Sequence, residues 1–232
     1  MNSHLTRPSN GPSGPQSLAA RRPVFAALAL SLDAAISLGL SRFSCALLVP
    51  PMRADLGWSY LVSGSMNTAN AFGYFLSALI TPALIRRCGA QTALVGGAVL
   101  ASLFMMLSGL SADADLLMLQ RVLSGIASAL IFIFGGVLSA RLRSLHPERA
   151  GLLIGIYYGG IGLGIVISAL LVPFALAAAE ANSAAHAWQW AWIALGAVCV
   201  LATPAMALPS SHIDGVPSAP NAHGNFQLKP FV

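Results

Sequence analysis

VFAALALSLDAAISLGLSRFSCALLV (24–49) decides the fold. A helix that crosses the hydrocarbon core needs roughly 20 apolar residues. This run exceeds that length and carries only Asp33 and Arg42 as charges. Five more runs follow, at about 59–85, 92–111, 116–140, 151–178 and 187–208, with a late interruption at Pro173 in the fifth. Short polar or charged breaks separate them. The expected fold is an all-α membrane protein, a six-helix bundle over 23–208. The flanks, 1–22 and 209–232, are rich in Ser, Pro, Gly, Asn and His without an apolar period. They read as disordered cytosolic tails.

Composition agrees. The 232 residues are 56% hydrophobic and 8% charged, where a soluble domain carries about 25% charged residues. Such a chain cannot cover a water-facing surface, so lipid is its expected solvent. A net charge of +5 could suggest nucleic acid, but the basic residues stand singly or in pairs at segment ends. That is a topology signal rather than a phosphate-binding patch. Arg7, Arg21, Arg22, Arg86, Arg87, Arg141, Arg143, Arg149 and Lys229 fall on one side if the segments alternate, and Arg53 alone on the other. Both termini are therefore expected in the cytosol.

Catalytic and metal chemistry find little support. Cys45, Cys88 and Cys199 form no CxxC or Cys/His spacing, so neither zinc nor a disulfide framework is expected. HExxH and Walker patterns are absent, and no histidine lies inside a span. The chain reads as a non-enzyme without cofactor or metal.

The polar residues inside the spans are the candidates for function. Asp33 sits about nine residues, or roughly 14 Å, inside the first segment, with Ser37 and Ser44 on its face. Arg42 lies on the opposite side of the same helix. With Arg121, two guanidinium groups face one carboxylate, and a cavity with excess positive charge favours an anionic solute. In the second segment Ser63, Asn67, Asn70 and Ser77 fall within about 80° of one another. Amides in hydrocarbon face protein or a water-filled cavity, and both roles stay open here. Arg121, Ser124, Gly125 and Ser128 share a face of the fourth segment. The fifth offers two ridges, Gly155, Gly159 and Gly162 on one side and Tyr157, Gly160, Gly164 and Ser168 on the other. Gly125, Gly155, Gly159 and Gly162 are expected to be helix-packing positions, and Tyr157 a cavity residue at the depth of Asp33. Trp58, Tyr60, Trp188, Trp190 and Trp192 are expected to form an interfacial belt.

Three stretches carry a resemblance: SRFSCALLVPPMRADLGWSYLVSGSMNTANAFGYFLSAL (41–79), RVLSGIASA (121–129) and HPERAGLLIGIYYGGIGLGIVISALLVP (146–173). The chain resembles the N-terminal half of a major facilitator superfamily (MFS) transporter, in the bacterial branch called the YbfB/YjiJ family. The superfamily's GxxxDxxGRR loop aligns with PALIRRCGAQ (82–91), where only Gly89 keeps its place and Arg86 takes the acidic position. The fourth-helix Arg motif is matched at Arg121 and Gly125, and the usual Pro of the fifth-helix motif is Gly160. The resemblance implies a multi-pass protein of the bacterial inner membrane. It implies alternating access to a small solute, with proton coupling at Asp33 or Arg121. Superfamily members have two six-helix halves, so a second copy or a separate C-terminal half would be needed. Two alternatives stay open, a truncated and transport-inactive fragment or a membrane scaffold pairing through the fifth helix.

Overall fold

The computed structural model describes residues 22–214, so both tail expectations, apart from residues 22 and 209–214, lie outside the described residues. Among the described residues, six helices are long and apolar enough to cross a membrane. We label them α1 (Pro23–Leu56), α2 (Tyr60–Cys88), α3 (Ala90–Ser108), α4 (Ala114–Leu145), α5 (Ala150–Ala181) and α6 (Ala187–Asp214). One 3₁₀ turn, Pro147–Arg149, leads into α5.

The ends have local causes. Gly57 takes φ 64° and closes α1; Gly89 takes φ 77° and separates α2 from α3. Both conformations favour a residue without a Cβ. Ser59 caps α2 by accepting from the Val62 amide at 3.3 Å, and Asp113 caps α4 by accepting from the Leu116 amide at 2.8 Å.

Three segments differ from expectation. Helix α1 runs on through Pro50 and Pro51 to Leu56, and α5 runs through Pro173. Buried neighbours and local adjustment tolerate proline inside a membrane helix. Helix α6 continues through Pro209 and Ser210 to Asp214, so the stretch expected to be unstructured after Leu208 begins as helix.

Helix α1 is the most enclosed. It packs against α4, α5 and α6, while α2 lies on α4, and α3 lies between α4 and α6. Of the most apolar window of each helix, 72% is buried in α1 and 17% in α5, so α5 lends the bundle one face only. The shared core holds Leu30, Ile36, Leu94, Met105, Ile131 and Phe134.

The middle of α1, Ala35–Phe43, is wound as a π-helix. Such wide turns are rare and often occur at functional sites. The aromatic belt needs correction. Trp190 is exposed, but Trp188 and Trp192 are fully buried. Each indole finds a partner inside the bundle, Trp188 Nε1 at Asp55 Oδ2 (2.6 Å) and Trp192 Nε1 at Met52 Sδ (3.5 Å).

Candidate transport site

Asp33 is fully buried where α1 meets α4 and α5, and neither carboxylate oxygen has a hydrogen-bond partner. Gly135 of α4 makes room for it. A methyl carbon added there would lie 3.0 Å from Asp33 Oδ2 and 3.0 Å from the Tyr157 hydroxyl. The structure thus brings Asp33 and Tyr157, expected at one depth, to one point. Tyr157 donates to the Phe132 carbonyl at 3.1 Å, and its ring meets half-exposed Tyr158 edge-on at 5.1 Å. An ionised carboxylate without a donor is costly in such surroundings.

Further along α1, the π segment is held from three sides. Ser128 donates to Ser41 at 2.7 Å, and Ser41 lies 3.2 Å from Ser124. Tyr74 of α2 donates to the Ser37 carbonyl at 3.1 Å, and Ser168 of α5 donates to the Gly39 carbonyl at 3.0 Å. Ser44 bonds back to the Leu40 carbonyl. Sequence reasoning placed Ser37 and Ser44 on the face of Asp33 but missed Ser41 and Tyr74. Serine recurring at 37, 41 and 44 was the available signal.

Arg121 does not join Asp33. It is buried, its Nη2 donates to Ser108 Oγ at 2.7 Å, and its guanidinium lies 4.1 Å above the Trp192 ring. Asn70 is also buried and donates from Nδ2 to the Arg121 carbonyl at 3.2 Å. That contact is possible because Gly125 lets the α2 backbone at Asn70 come close.

Arg42 and Asn67 are exposed. Arg42 lies 5.5 Å over the Tyr74 ring, a cation–π contact at the edge of the open face. The α2 polar stripe therefore splits, with Ser63, Asn70 and Ser77 inside and Asn67 outside. The expected helix-packing role of Gly155, Gly159 and Gly162 needs correction within this chain. Nothing lies within 4 Å of a Cβ added at any of them. The packed ridge is Gly160 and Gly164, which abut the α1 backbone at Ser31 and Ala35. The reason is the position of α1, which lies over only one side of α5.

A separate cleft of about 600 Å³ lies between the end of α5 and the start of α6, lined by Ala178, Ala179, Asn182, His186, Gln189 and Trp190. It does not include Asp33 or Arg121. At its edge His186 Nδ1 meets Asp55 Oδ2 at 2.6 Å, tying the ends of α1 and α6 together. Among the described residues no group of His, Cys, Asp and Glu could hold a metal ion.

A chain of six apolar helices, with a buried carboxylate at a three-helix junction and one uncovered helix face, matches a known family. The model described as "Uncharacterised MFS-type transporter YbfB" matches residues 34–231. The chain belongs to the YbfB family of MFS-type transporters. It is thus a multi-pass membrane protein of a transporter family. It is 35% identical over 129 residues to "Probable anion transporter 2, chloroplastic" of Oryza sativa subsp. japonica, covering 54% of this chain and 23% of that protein. It is 28% identical over 155 residues to "Probable anion transporter 4, chloroplastic" of Arabidopsis thaliana, covering 66% of this chain and 28% of that protein. The matched stretch is thus about a quarter of the length of these curated relatives.

Proposed function

We propose that this MFS-type chain acts as one six-helix half of an alternating-access secondary transporter for a small anion. A second six-helix unit, in another copy or another polypeptide, docks on the open side of α5 and completes the solute path. The single observation that carries this reading is the uncovered glycine ridge of α5. A glycine face with empty space above it suits the close approach of another helix, and MFS halves meet along such an interface. The names of the two plant relatives, both probable anion transporters, favour an anion.

Asp33 is the proton-coupling group in this reading, with Tyr157 beside it. Both termini face the cytosol, because Arg86, Arg87, Arg141, Arg143 and Arg149 gather at the two loops on one side. The membrane is a bacterial inner membrane.

The test uses membrane vesicles containing the chain and a pH-sensitive dye. Test anions are added one at a time, beginning with inorganic phosphate. An anion that moves protons through the native chain and not through Asp33→Asn supports the coupling role. Anion uptake that keeps its pH profile in Asp33→Asn removes Asp33 from the mechanism. If no anion moves, including when the chain is co-expressed with a six-helix C-terminal half of the same family, the chain is a transport-inactive fragment.

A further inference from the structure

The cleft beside His186 is one end of a longer groove. Ile167, Leu170, Leu171 and Phe174 of α5, with Val198 of α6, line a second cavity of about 430 Å³. Leu171 lies one helical turn before Ala175 on α5, and Val198 one turn after Ala194 on α6; both alanines line the first cleft. The two cavities thus run end to end along the α5–α6 seam. From Ile167, near the middle of α5, to Asn182, just past its end, the chain rises roughly 22 Å. One leaflet with its headgroup region is about as deep, half of a bilayer of about 40–45 Å.

Polarity changes along the groove in the same sense as in a leaflet. The deep part is Ile, Leu, Phe and Val, the middle is alanine, and the mouth holds Asn182, His186, Gln189 and Trp190. The mouth has a definite chemistry. Asn182 Nδ2 donates to the Ala178 carbonyl at 2.7 Å, which leaves Oδ1 as an acceptor. The Asp55 carboxylate accepts, so the 2.6 Å bond from His186 places a proton on Nδ1, and in the neutral ring Nε2 is then an acceptor. Trp190 is 57% exposed and offers a π face. Among the described residues, no Lys, Arg, Asp or Glu lines either cavity. Acceptors and an aromatic face without a cation suit a protonated amine.

We propose that this groove binds an ethanolamine phospholipid of the leaflet at that end of the bundle. One acyl chain lies along Ile167, Leu171 and Ala178, and the ammonium sits at the mouth, where Asn182 Oδ1, His186 Nε2 and the Trp190 face receive it. A choline head lacks N–H donors and a glycerol head lacks the positive charge, so both fit less well. The groove is not the glycine face on which a second six-helix unit docks. Leu171, Ala175, Ala178 and Asn182 point about 100–160° away from Gly159 around α5. The inference therefore goes beyond the transport reading and needs only the bundle in a membrane.

Tryptophan fluorescence tests it on the full chain, stripped of lipid and held in detergent micelles at pH 8. Phospholipids with brominated acyl chains and ethanolamine, choline or glycerol heads are added separately, and quenching reads contact with Trp190. The ethanolamine lipid is expected to half-quench at about two- to tenfold lower mole fraction than the other two, the range of one net hydrogen bond. Asn182→Ala should narrow that preference. Ala178→Leu should raise the half-quenching fraction of all three lipids by filling the groove. Both positions are exposed, so neither change disturbs the core. Trp190→Phe should remove most of the quenching. Equal half-quenching by the three heads in the native chain overturns the headgroup assignment. Quenching that survives Ala178→Leu or Trp190→Phe unchanged overturns the groove as the site. If no lipid quenches and the chain elutes as a dimer, a second copy covers the seam and the proposal fails.

Discussion

The two ridges of α5 are made of the same residue and have opposite surroundings. Gly160 and Gly164 sit so close to α1 that a methyl group on either would meet the backbone of Ser31 or Ala35. Gly155, Gly159 and Gly162, on the other side of the same helix, meet nothing within 4 Å. Glycine spacing therefore reports that a helix is built for close approach, but not which approach is made inside the chain. The largest expected effect follows from this contrast. Gly160→Ala and Gly164→Ala should each destabilise the bundle by about 1–3 kcal/mol, the usual cost of overpacking. Gly159→Ala should be neutral or stabilising by about 0.5–1 kcal/mol, since alanine is the better helix residue. Unfolding in mixed detergent micelles, followed by helical circular dichroism, measures both. Equal losses on the two ridges would break the comparison and mean that the open face is covered in the purified protein.

Gly135 tests the same contrast at the junction itself. There an added methyl would meet side-chain atoms, Asp33 Oδ2 and Cβ and the Tyr157 hydroxyl, at 3.0–3.1 Å, rather than backbone at 1.9–2.9 Å as at Gly160. Side-chain ends move more cheaply than a packed helix. Gly135→Ala should cost less than Gly160→Ala, about 1 kcal/mol, and leave the bundle folded. A loss as large as that of Gly160→Ala would show that Asp33 and Tyr157 are held as rigidly as the α1 backbone.

Much of the fold was legible because hydrocarbon imposes a length on every crossing helix. Six apolar runs and their charged breaks mark six helices, and the structure has them with ends displaced by a few residues. Three features were not legible, for physical reasons. Trp188 and Trp192 look like interfacial residues because tryptophan at a span's end usually is, and only Asp55 and Met52 on α1 explain their burial. The π segment leaves no trace in apolar periodicity, since one wide turn shifts the register by less than the width of a helix face. The neighbours of Arg121 come from four other helices, so no spacing along the chain could join Cys45, Met66, Ser108 and Trp192 to it. The equal depth of Asp33 and Tyr157 was legible as a length argument, but that both side chains meet Gly135 was not, because depth does not say which helices touch.

Asn70 and Gly125 form a second close approach, between α2 and α4, and here one polar bond accompanies the glycine. Asn70→Ala removes the donor to the Arg121 carbonyl, and its buried Oδ1 has no partner to lose. The loss should be near the average of about 0.6 kcal/mol for a polar contact between membrane helices. That is smaller than the effect of filling Gly160, and the same unfolding assay reads it. A larger loss would mean that the bond sets the position of Arg121 and not only the contact between two helices.

Effects as small as that of Asn70→Ala are expected at the π segment, and they sharpen the comparison most. Ser168, on the packed face of α5, and Tyr74, on α2, each donate to a carbonyl of this segment, at Gly39 and Ser37. Ser168→Ala and Tyr74→Phe each delete one donor and should cost about 0.6 kcal/mol. If the donors only satisfy carbonyls that a wide turn leaves poorly bonded, the two losses add. If they hold the turn open, the first deletion weakens it and the second lets Ala35–Phe43 rewind toward an α-helix. The double variant would then depart from additivity by more than about 0.5 kcal/mol, the scatter expected of independent sites. Rewinding would also rotate Asp33 relative to Ser41, because most of the π segment lies between them. A non-additive double variant therefore makes the packed face of α5 a control on the orientation of Asp33, whereas strict additivity leaves that face a passive support.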